Sequence, residues 1–415
     1  MKIYINLIFI FCVSYSCIGQ LTVIEKDNAI LGFDKDRLER LDNRMHQFVD
    51  KGQLAGIQTA IMRDGKLVHM DTYGHADIHS KTQLEDDHIW RIFSMTKPIA
   101  SVGLMMLYEQ GLFSLGDPVE NYIPSFKNLK VYDKDKGIVE ASNKMTIKDL
   151  LTHTSGLGYG WGGGYVDSLY NATDKWTMEN NKVFVDWLAE QPLYFEPGTA
   201  WRYGVSTDVV GYLIEVISGQ SLDEYLDENL FQPLGMDDTY FSIPADKAHR
   251  LVTNYNDQQG DSLTIIDHYT QSPWTKKARL LSAGGGLAST TKDYLIFSQM
   301  LLNGGEYNGK RYLGTKTLEL MLDDHCTDVE HHGGPVVMPA NGSGFGLGFS
   351  VINNVAETSL LGSEGMYGWG GAAGTVFRID PKENMICIMM IQLMPYHHLQ
   401  ARETFQTMVY QALVD

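Results

Sequence analysis

Cysteine is scarce in this 415-residue chain. Only Cys12, Cys17, Cys326 and Cys387 occur, which excludes a disulfide-stapled scaffold and a zinc–cysteine centre. Cys387 lies in the apolar run from Met385 to Leu393 and reads as a small buried hydrophobe. A Cys326–Cys387 disulfide stays open, and nothing in the sequence demands it. Positive charge is also short: 33 Lys and Arg face 51 Asp and Glu, a formal net charge of −18. That balance argues against nucleic acid and anionic membrane surfaces as partners. No internal apolar run is long enough to cross a bilayer. A Gly-x-Ser-x-Gly elbow is missing, which argues against an α/β-hydrolase. His325, His331 and His332 cluster without a His-Glu-x-x-His arrangement, so no metal and no cofactor is expected.

What is present suits an enzyme: 44% hydrophobic and 20% charged residues, enough chain for one large or two intimate domains. Residues 1–19 have the shape of a signal peptide, with Lys2, an apolar run from Ile3 to Val13, and small or polar residues to Gly19. Cleavage before Gln20 is expected, giving a periplasmic or secreted protein. Lipidation at Cys17 ranks second because Ser14-Tyr15-Ser16 makes a poor lipobox.

Residues 34–52 carry a helical stripe (Leu38, Leu41, Met45, Phe48, Val49) after Asp34, an N-cap. Residues 56–62 and 66–70 flank Asp64-Gly65 as a hairpin. An apolar helix follows from about 94 to Gly111. Thr146-Ile147-Lys148-Asp149 opens another with a capping box. Ser206-Thr207-Asp208 is expected to cap a helix ending at Gly219, and residues 236–280 read as irregular. A helix runs from Lys292 to Leu302. Residues 344–351 read as one strand, 374–379 and 385–390 as a hairpin, and about 398–413 as a terminal helix. Strands at both ends and helices between predict an α+β fold. Its antiparallel sheet comes from both termini (about 20–93 and 335–415), is flanked by helices, and carries a mostly helical insertion at about 94–334.

The chemistry is expected at Ser94-Met95-Thr96-Lys97. Residues three apart on a helix share a face, so Ser94 Oγ and Lys97 Nζ point at one spot. A serine hydroxyl needs a base beside it, and burial in this apolar run would help lysine accept a proton. The spacing alone is weak evidence: Ser289-Thr290-Thr291-Lys292 repeats it, where Ser289 or Thr290 reads as a helix cap.

Ser94 gains weight from its company. Phe93-Ser94-Met95-Thr96-Lys97-Pro98, Leu150-Leu151-Thr152-His153-Thr154-Ser155-Gly156-Leu157, Tyr203-Gly204-Val205-Ser206 and Gly368-Trp369-Gly370-Gly371-Ala372 occur in an order covering nearly the whole chain. Together they resemble the penicillin-recognising serine enzymes, specifically the class C β-lactamase-like esterases called family VIII carboxylesterases. The resemblance implies a β-lactamase/transpeptidase-like fold. It implies Ser94 as acylated nucleophile, Lys97 as proton acceptor and Tyr203 as the second-motif tyrosine; read alone, Tyr203 is better taken as a packed aromatic beside Trp201. It implies an oxyanion hole from the backbone N–H groups of Ser94 and Ala372, with Trp369, Gly370 and Gly371 on the substrate side.

Two departures matter. Val205 stands where the second motif carries Asn, and no Lys-Thr-Gly occurs. Tryptophan cannot receive a substrate carboxylate as that lysine does, which shifts the expectation toward neutral esters. His332-Gly333-Gly334 is a rival third motif, less favoured because no strand-hairpin-helix pattern follows it directly. The expected function is ester hydrolysis through acyl-Ser94 on a small-molecule ester or amide. A β-lactamase or D-amino-acid peptidase, and a catalytically silent cell-wall peptide-binding protein, are the alternatives. Acyl-chain length and oligomeric state stay open.

Overall fold

The computed structural model describes residues 29–415 apart from 258–261, 335 and 339–340. The expected signal peptide, its cleavage site, Cys12 and Cys17 lie outside the described residues.

Helix α1 (Lys35–Asp50) begins at Asp34, whose carboxylate accepts the Arg37 N–H, and buries Leu38, Leu41, Met45 and Phe48. Next come strands β1 (Gly56–Arg63), β2 (Lys66–Asp77) and β3 (Thr82–Gln83). Asp64 and Gly65, both with positive φ, make the β1–β2 turn. The C-terminal part supplies β4 (Ser343–Phe345), β5 (Ser350–Ile352), β6 (Tyr367–Gly370), β7 (Val376–Asp380) and β8 (Met385–Met390). They form one eight-stranded sheet in the order β4-β5-β6-β7-β8-β1-β2-β3, every pair antiparallel. The sheet therefore joins both chain ends across the β8–β1 pair, as expected.

Alternation along β8 decides which layer each side chain joins. Met385, Cys387 and Met389 pack with α1 and the terminal helix α6 (Ala401–Ala412). Ile386, Ile388 and Met390 face the opposite layer, which contains α2 (Thr96–Glu109) and α5 (Thr291–Leu302). Between them in sequence lie α3 (Ile147–Leu151), with its capping box, and α4 (Ser206–Ser218), which packs on both α2 and α3.

Four readings need correction or closure. Residues 344–351 are two strands, β4 and β5, because Gly348 has φ +95° and the Gly346 N–H turns back to Phe349 O at 2.8 Å. The stretch 236–280 holds a hairpin, Asn254–Asp257 with Leu263–Asp267. Docking stabilises it rather than any apolar pattern: Tyr255 is 1% exposed and its backbone bonds Gln392 O and Met394 N. Ser206 does not cap α4; Val205 holds that place, and Ser206 Oγ pairs with Ser155 Oγ at 2.8 Å. Cys326 and Cys387 are free thiols, buried in different core clusters.

Candidate active site

Ser94 sits in a 3-10 turn, Phe93–Met95, that runs straight into α2. Residues three apart across this continuous turn and helix share one face, which puts Ser94 beside Lys97. Pro98 fits here because the first turn of a helix has no N–H to lose. Phe93 adopts φ +43°, an uncommon conformation for a bulky residue, and its ring meets Trp274 edge-on at 5.4 Å. Neighbours on two sides hold the turn. Thr96 Oγ1 accepts the Leu287 N–H at 3.1 Å, the Ile92 N–H reaches Leu287 O at 3.1 Å, and Tyr294 Oη donates to Met95 O at 2.9 Å.

Lys97 is 1% exposed. Its Nζ lies 3.3 Å from Ser94 Oγ, 2.9 Å from Tyr159 Oη and 2.6 Å from Gly284 O. These neighbours suit both protonation states. An ammonium donates to all three. A neutral amine donates to Gly284 O and Tyr159 Oη and keeps its lone pair for the Ser94 proton.

Tyr203 stands nearby in another way. Its ring centroid is 4.7 Å from Lys97 Nζ, and its hydroxyl accepts Trp369 Nε1–H at 3.1 Å. Tyr159 and Tyr203 meet edge-to-face at 5.5 Å. Gly204 permits this approach, since a Cβ there would come within 2.4 Å of Leu157 O and 2.6 Å of Gly158 Cα. Burial first, then Tyr203 and Asp208, push the Tyr159 hydroxyl well above its ordinary value, so it stays a phenol. His153 packs 5.0 Å from the Tyr203 ring; burial and then the Lys97 charge hold it well below its ordinary value, as a neutral imidazole.

Behind Lys97 is a carboxyl that the sequence pattern marks only as part of a helix cap. Asp208, 3% exposed, accepts from Ser282 Oγ at 2.5 Å and from Gly284 N at 3.1 Å. Its Oδ2 has no hydrogen-bond partner among the described residues. Burial raises its pKa, and the Lys97 charge pulls the other way. Asp208 thus holds the N–H of Gly284, the residue whose own carbonyl binds Lys97.

The third element is the turn after β6. The Gly371 N–H bonds Thr375 O at 2.8 Å, and Arg402 from α6 reaches the carbonyls of Gly371, Gly374 and Thr375. Ala372 rides on this clamped turn. The glycines serve packing here. A Cβ at Gly371 would meet Thr375 Oγ1 at 2.2 Å and Ile92 O at 2.4 Å, and one at Gly370 would meet the Arg402 guanidinium at 2.6 Å. Close approach of β6 to the nucleophile turn, rather than room for substrate, is what these atoms require.

A cavity of about 670 Å³ opens over Ser94. Ser94, Tyr159 and Ala372 line it together with Phe93, Phe241 and Trp274. Lys97, Tyr203, Trp369, Gly370 and Gly371 are not among its lining residues. The structure thus brings Ser94, Lys97, Tyr203 and Trp369 into one linked cluster, and of the site residues expected from the sequence it puts only Ser94 and Ala372 at the cavity surface. Tyr159, Asp208 and Arg402 do not stand out in the sequence as site residues. The aromatic run 158–165 hints at Tyr159; nothing in sequence marks Arg402. The rival His332-Gly333-Gly334 lies beside the short strand Ala200–Trp201, with His332 O accepting from Arg202 Nη1 at 2.7 Å, in a pairing that is not part of the eight-stranded sheet. His325 and His331 bond backbone carbonyls of Leu320 and Val336, and His332 packs on Phe195, so the three do not converge.

Known proteins match along most of this chain. The Mycobacterium tuberculosis protein Rv1367c is 33% identical over 363 residues, covering 85% of this chain and 89% of its own. A putative D-alanyl-D-alanine carboxypeptidase of Escherichia coli K12 is 26% identical, covering 94% and 89%. Among solved structures, EstCE1, a hydrolase with promiscuous acyltransferase activity, superposes with a TM-score of 0.77 at 22% identity, covering 91% of this chain and 99% of its own. Simvastatin synthase (LovD) of Aspergillus terreus superposes at 0.74 with 22% identity, covering 90% and 98%. A family model for beta-lactamase matches residues 41–409, and the chain belongs to the beta-lactamase family.

Proposed function

We propose that this protein hydrolyses carboxylic esters through an acyl intermediate on Ser94. One observation carries the reading: a lysine that is 1% exposed lies 3.3 Å from a serine hydroxyl at the surface of an apolar cavity. With Lys97 neutral, the Ser94 proton passes to Nζ as Oγ bonds to the ester carbonyl carbon. The Ser94 and Ala372 N–H groups receive the developing oxyanion. The C–O bond then breaks, and the proton returns from Lys97 to the departing alcohol with Tyr203 as the relay. Water repeats the sequence on the acyl-enzyme and releases the acid. Gly284 O and Tyr159 Oη keep Nζ aimed at Ser94 throughout.

Two features favour esters over β-lactams. The cavity wall is aromatic, and Trp369, a neutral donor already bonded to Tyr203, stands where the resemblance leads one to expect a lysine. The carboxypeptidase and acyltransferase relatives keep two further outcomes in the assay. A panel of p-nitrophenyl esters, nitrocefin and a D-Ala-D-Ala peptide, run on wild type and Ser94→Ala, tests the proposal. Ester turnover lost in Ser94→Ala, with a fluorophosphonate adduct mapped to Ser94, is the expected result. Labelling at another residue, or undiminished turnover in the variant, overturns it. We infer export from the leader at residues 1–19; the N-terminus of the secreted protein, read by Edman or mass analysis, tests that.

A further inference from the structure

The cavity over Ser94 has two unlike parts. Its body is aromatic and apolar, with Phe93, Trp161, Trp176, Phe241, Trp274 and Met394 in its walls. Its lining also includes Lys276, Lys277 and Arg279. Three of four successive residues are therefore cationic, in a chain where acids outnumber bases 51 to 33. All three side chains are exposed, and among the described residues none enters an ion pair or hydrogen bond.

The segment that bears them is held in place. The Ala278 N–H donates to Ser242 Oγ at 2.9 Å and the Leu281 N–H to Asn181 Oδ1 at 2.9 Å. Just before it, Trp274 Nε1–H donates to Gly286 O at 2.9 Å. Three like charges on a pinned backbone repel one another, and they cannot relax by moving the segment away. Beside a low-dielectric cavity they concentrate positive potential along the wall they line. An anion there relieves the repulsion.

We propose that the substrate is an amphipathic ester whose apolar body fills the aromatic cavity and whose anionic group, of carboxylate type, is received by Lys276, Lys277 and Arg279. The inference rests on the ester-hydrolase reading above and corrects one part of it. Loss of a lysine at the Trp369 position does not make the whole site neutral; positive charge enters from a different segment, residues 276–279.

The test uses matched p-nitrophenyl esters differing only at the far end of the acyl chain, one ending in a carboxylate and the other in the neutral carboxamide. A second pair carries the same difference on the alcohol side, which tells which half of the ester lies toward the cations. In one of the pairs, kcat/KM for the carboxylate is expected to exceed that for the carboxamide by roughly tenfold at low ionic strength, since exposed ion pairs are individually weak. The ratio should fall toward one at about 1 M salt, where the screening length is only ~3 Å. It should also fall toward one in K276Q/K277Q/R279Q. If both pairs give ratios at or below one while Ser94-dependent hydrolysis of the carboxamide persists, this inference fails and the esterase reading stands. A preference that survives in the triple variant overturns the assignment to these residues. Absence of ester turnover on any member removes the esterase reading and this one with it.

Discussion

Tyr159→Phe deletes one oxygen, 2.9 Å from Lys97 Nζ, and leaves the ring that stacks on Trp161 at 4.2 Å. Lys97 is 1% exposed, so solvent does not simply replace the lost partner. Gly284 O and Ser94 Oγ remain. A hydrogen bond to a charged group contributes ~1.5–3 kcal/mol, and most of that is at stake when the buried donor is left unpaired. The bond exists before and during catalysis, so only part of it bears on the barrier. With about half of it bearing on the barrier, the expected loss in kcat/KM is about 3- to 10-fold. Tyr203→Phe strands Trp369 Nε1–H and removes the proposed relay, which is expected to cost on the order of 100- to 10,000-fold. Initial rates on p-nitrophenyl butyrate, with thermal midpoints measured in parallel, separate chemistry from folding. Burial keeps the Tyr159 hydroxyl protonated, so the wild-type pH–rate profile should contain no limb that disappears in Tyr159→Phe. A Tyr159→Phe enzyme at wild-type rate would refute the positioning argument. A loss larger than that of Tyr203→Phe would transfer the relay from Tyr203 to Tyr159.

Gly371→Ala forces a Cβ to within 2.2 Å of Thr375 Oγ1 and 2.4 Å of Ile92 O, pushing the oxyanion turn off the nucleophile turn; a loss of at least about 100-fold in kcat is expected, read by burst and steady-state kinetics. Arg402→Met frees three carbonyls on residues 371–375, and should lower both kcat and thermal midpoint, while Arg402→Lys restores only part because a single ammonium cannot span the same acceptors. Asp208→Asn weakens the bonds from Ser282 and Gly284 N, letting the Gly284 carbonyl shift off Lys97; kcat should fall roughly 10-fold with KM little changed. Burial raises Asp293 from 3.8 to about 6. The folded protein then keeps a proton that the unfolded chain has released. The stability this contributes is fully present below pH 3.8 and is lost as pH rises through about 6, ~3 kcal/mol at 1.36 kcal/mol per decade. Denaturant titrations on either side of that window should show this limb flattened in Asp293→Asn.

Legibility in the sequence followed periodicity. The stripe in α1, the Asp64-Gly65 turn and the Thr146 capping box are local patterns with local causes, and each formed where the sequence put it. The Asn254–Asp257 strand has no such pattern; it exists because Tyr255 docks against residues 392–394. The run 344–351 misled because alternation looks alike in one strand and in a tight hairpin. Only φ +95° at Gly348 distinguishes them. At the site, Ser94, Lys97, Tyr203 and Trp369 were readable because motif order marked them. Asp208 was not, because an acid in the first turn of a helix looks like a cap until Val205 is seen to hold that place. Arg402 was not, because its acceptors are backbone carbonyls, which any sequence provides.

The same contacts divide the labour around Lys97. Trp369 gives Tyr203 one N–H and no charge. A lysine in that place would stabilise a tyrosinate by direct charge, and an indole N–H offers only a dipole. The β6 side therefore offers Tyr203 a hydrogen-bond donor and no cation. Tyr159, kept as a phenol by burial, offers Lys97 an oxygen and takes no proton from Ser94. Asp208 reaches Lys97 through the backbone of Gly284 and keeps one oxygen unpaired among the described residues. Of the groups gathered here, Lys97 alone both lies within 3.3 Å of Ser94 Oγ and has, when neutral, a free lone pair to accept its proton. In the proposed mechanism the base is therefore the lysine. In the same proposal the two tyrosines play different parts, Tyr159 aiming the amine and Tyr203 carrying its proton away.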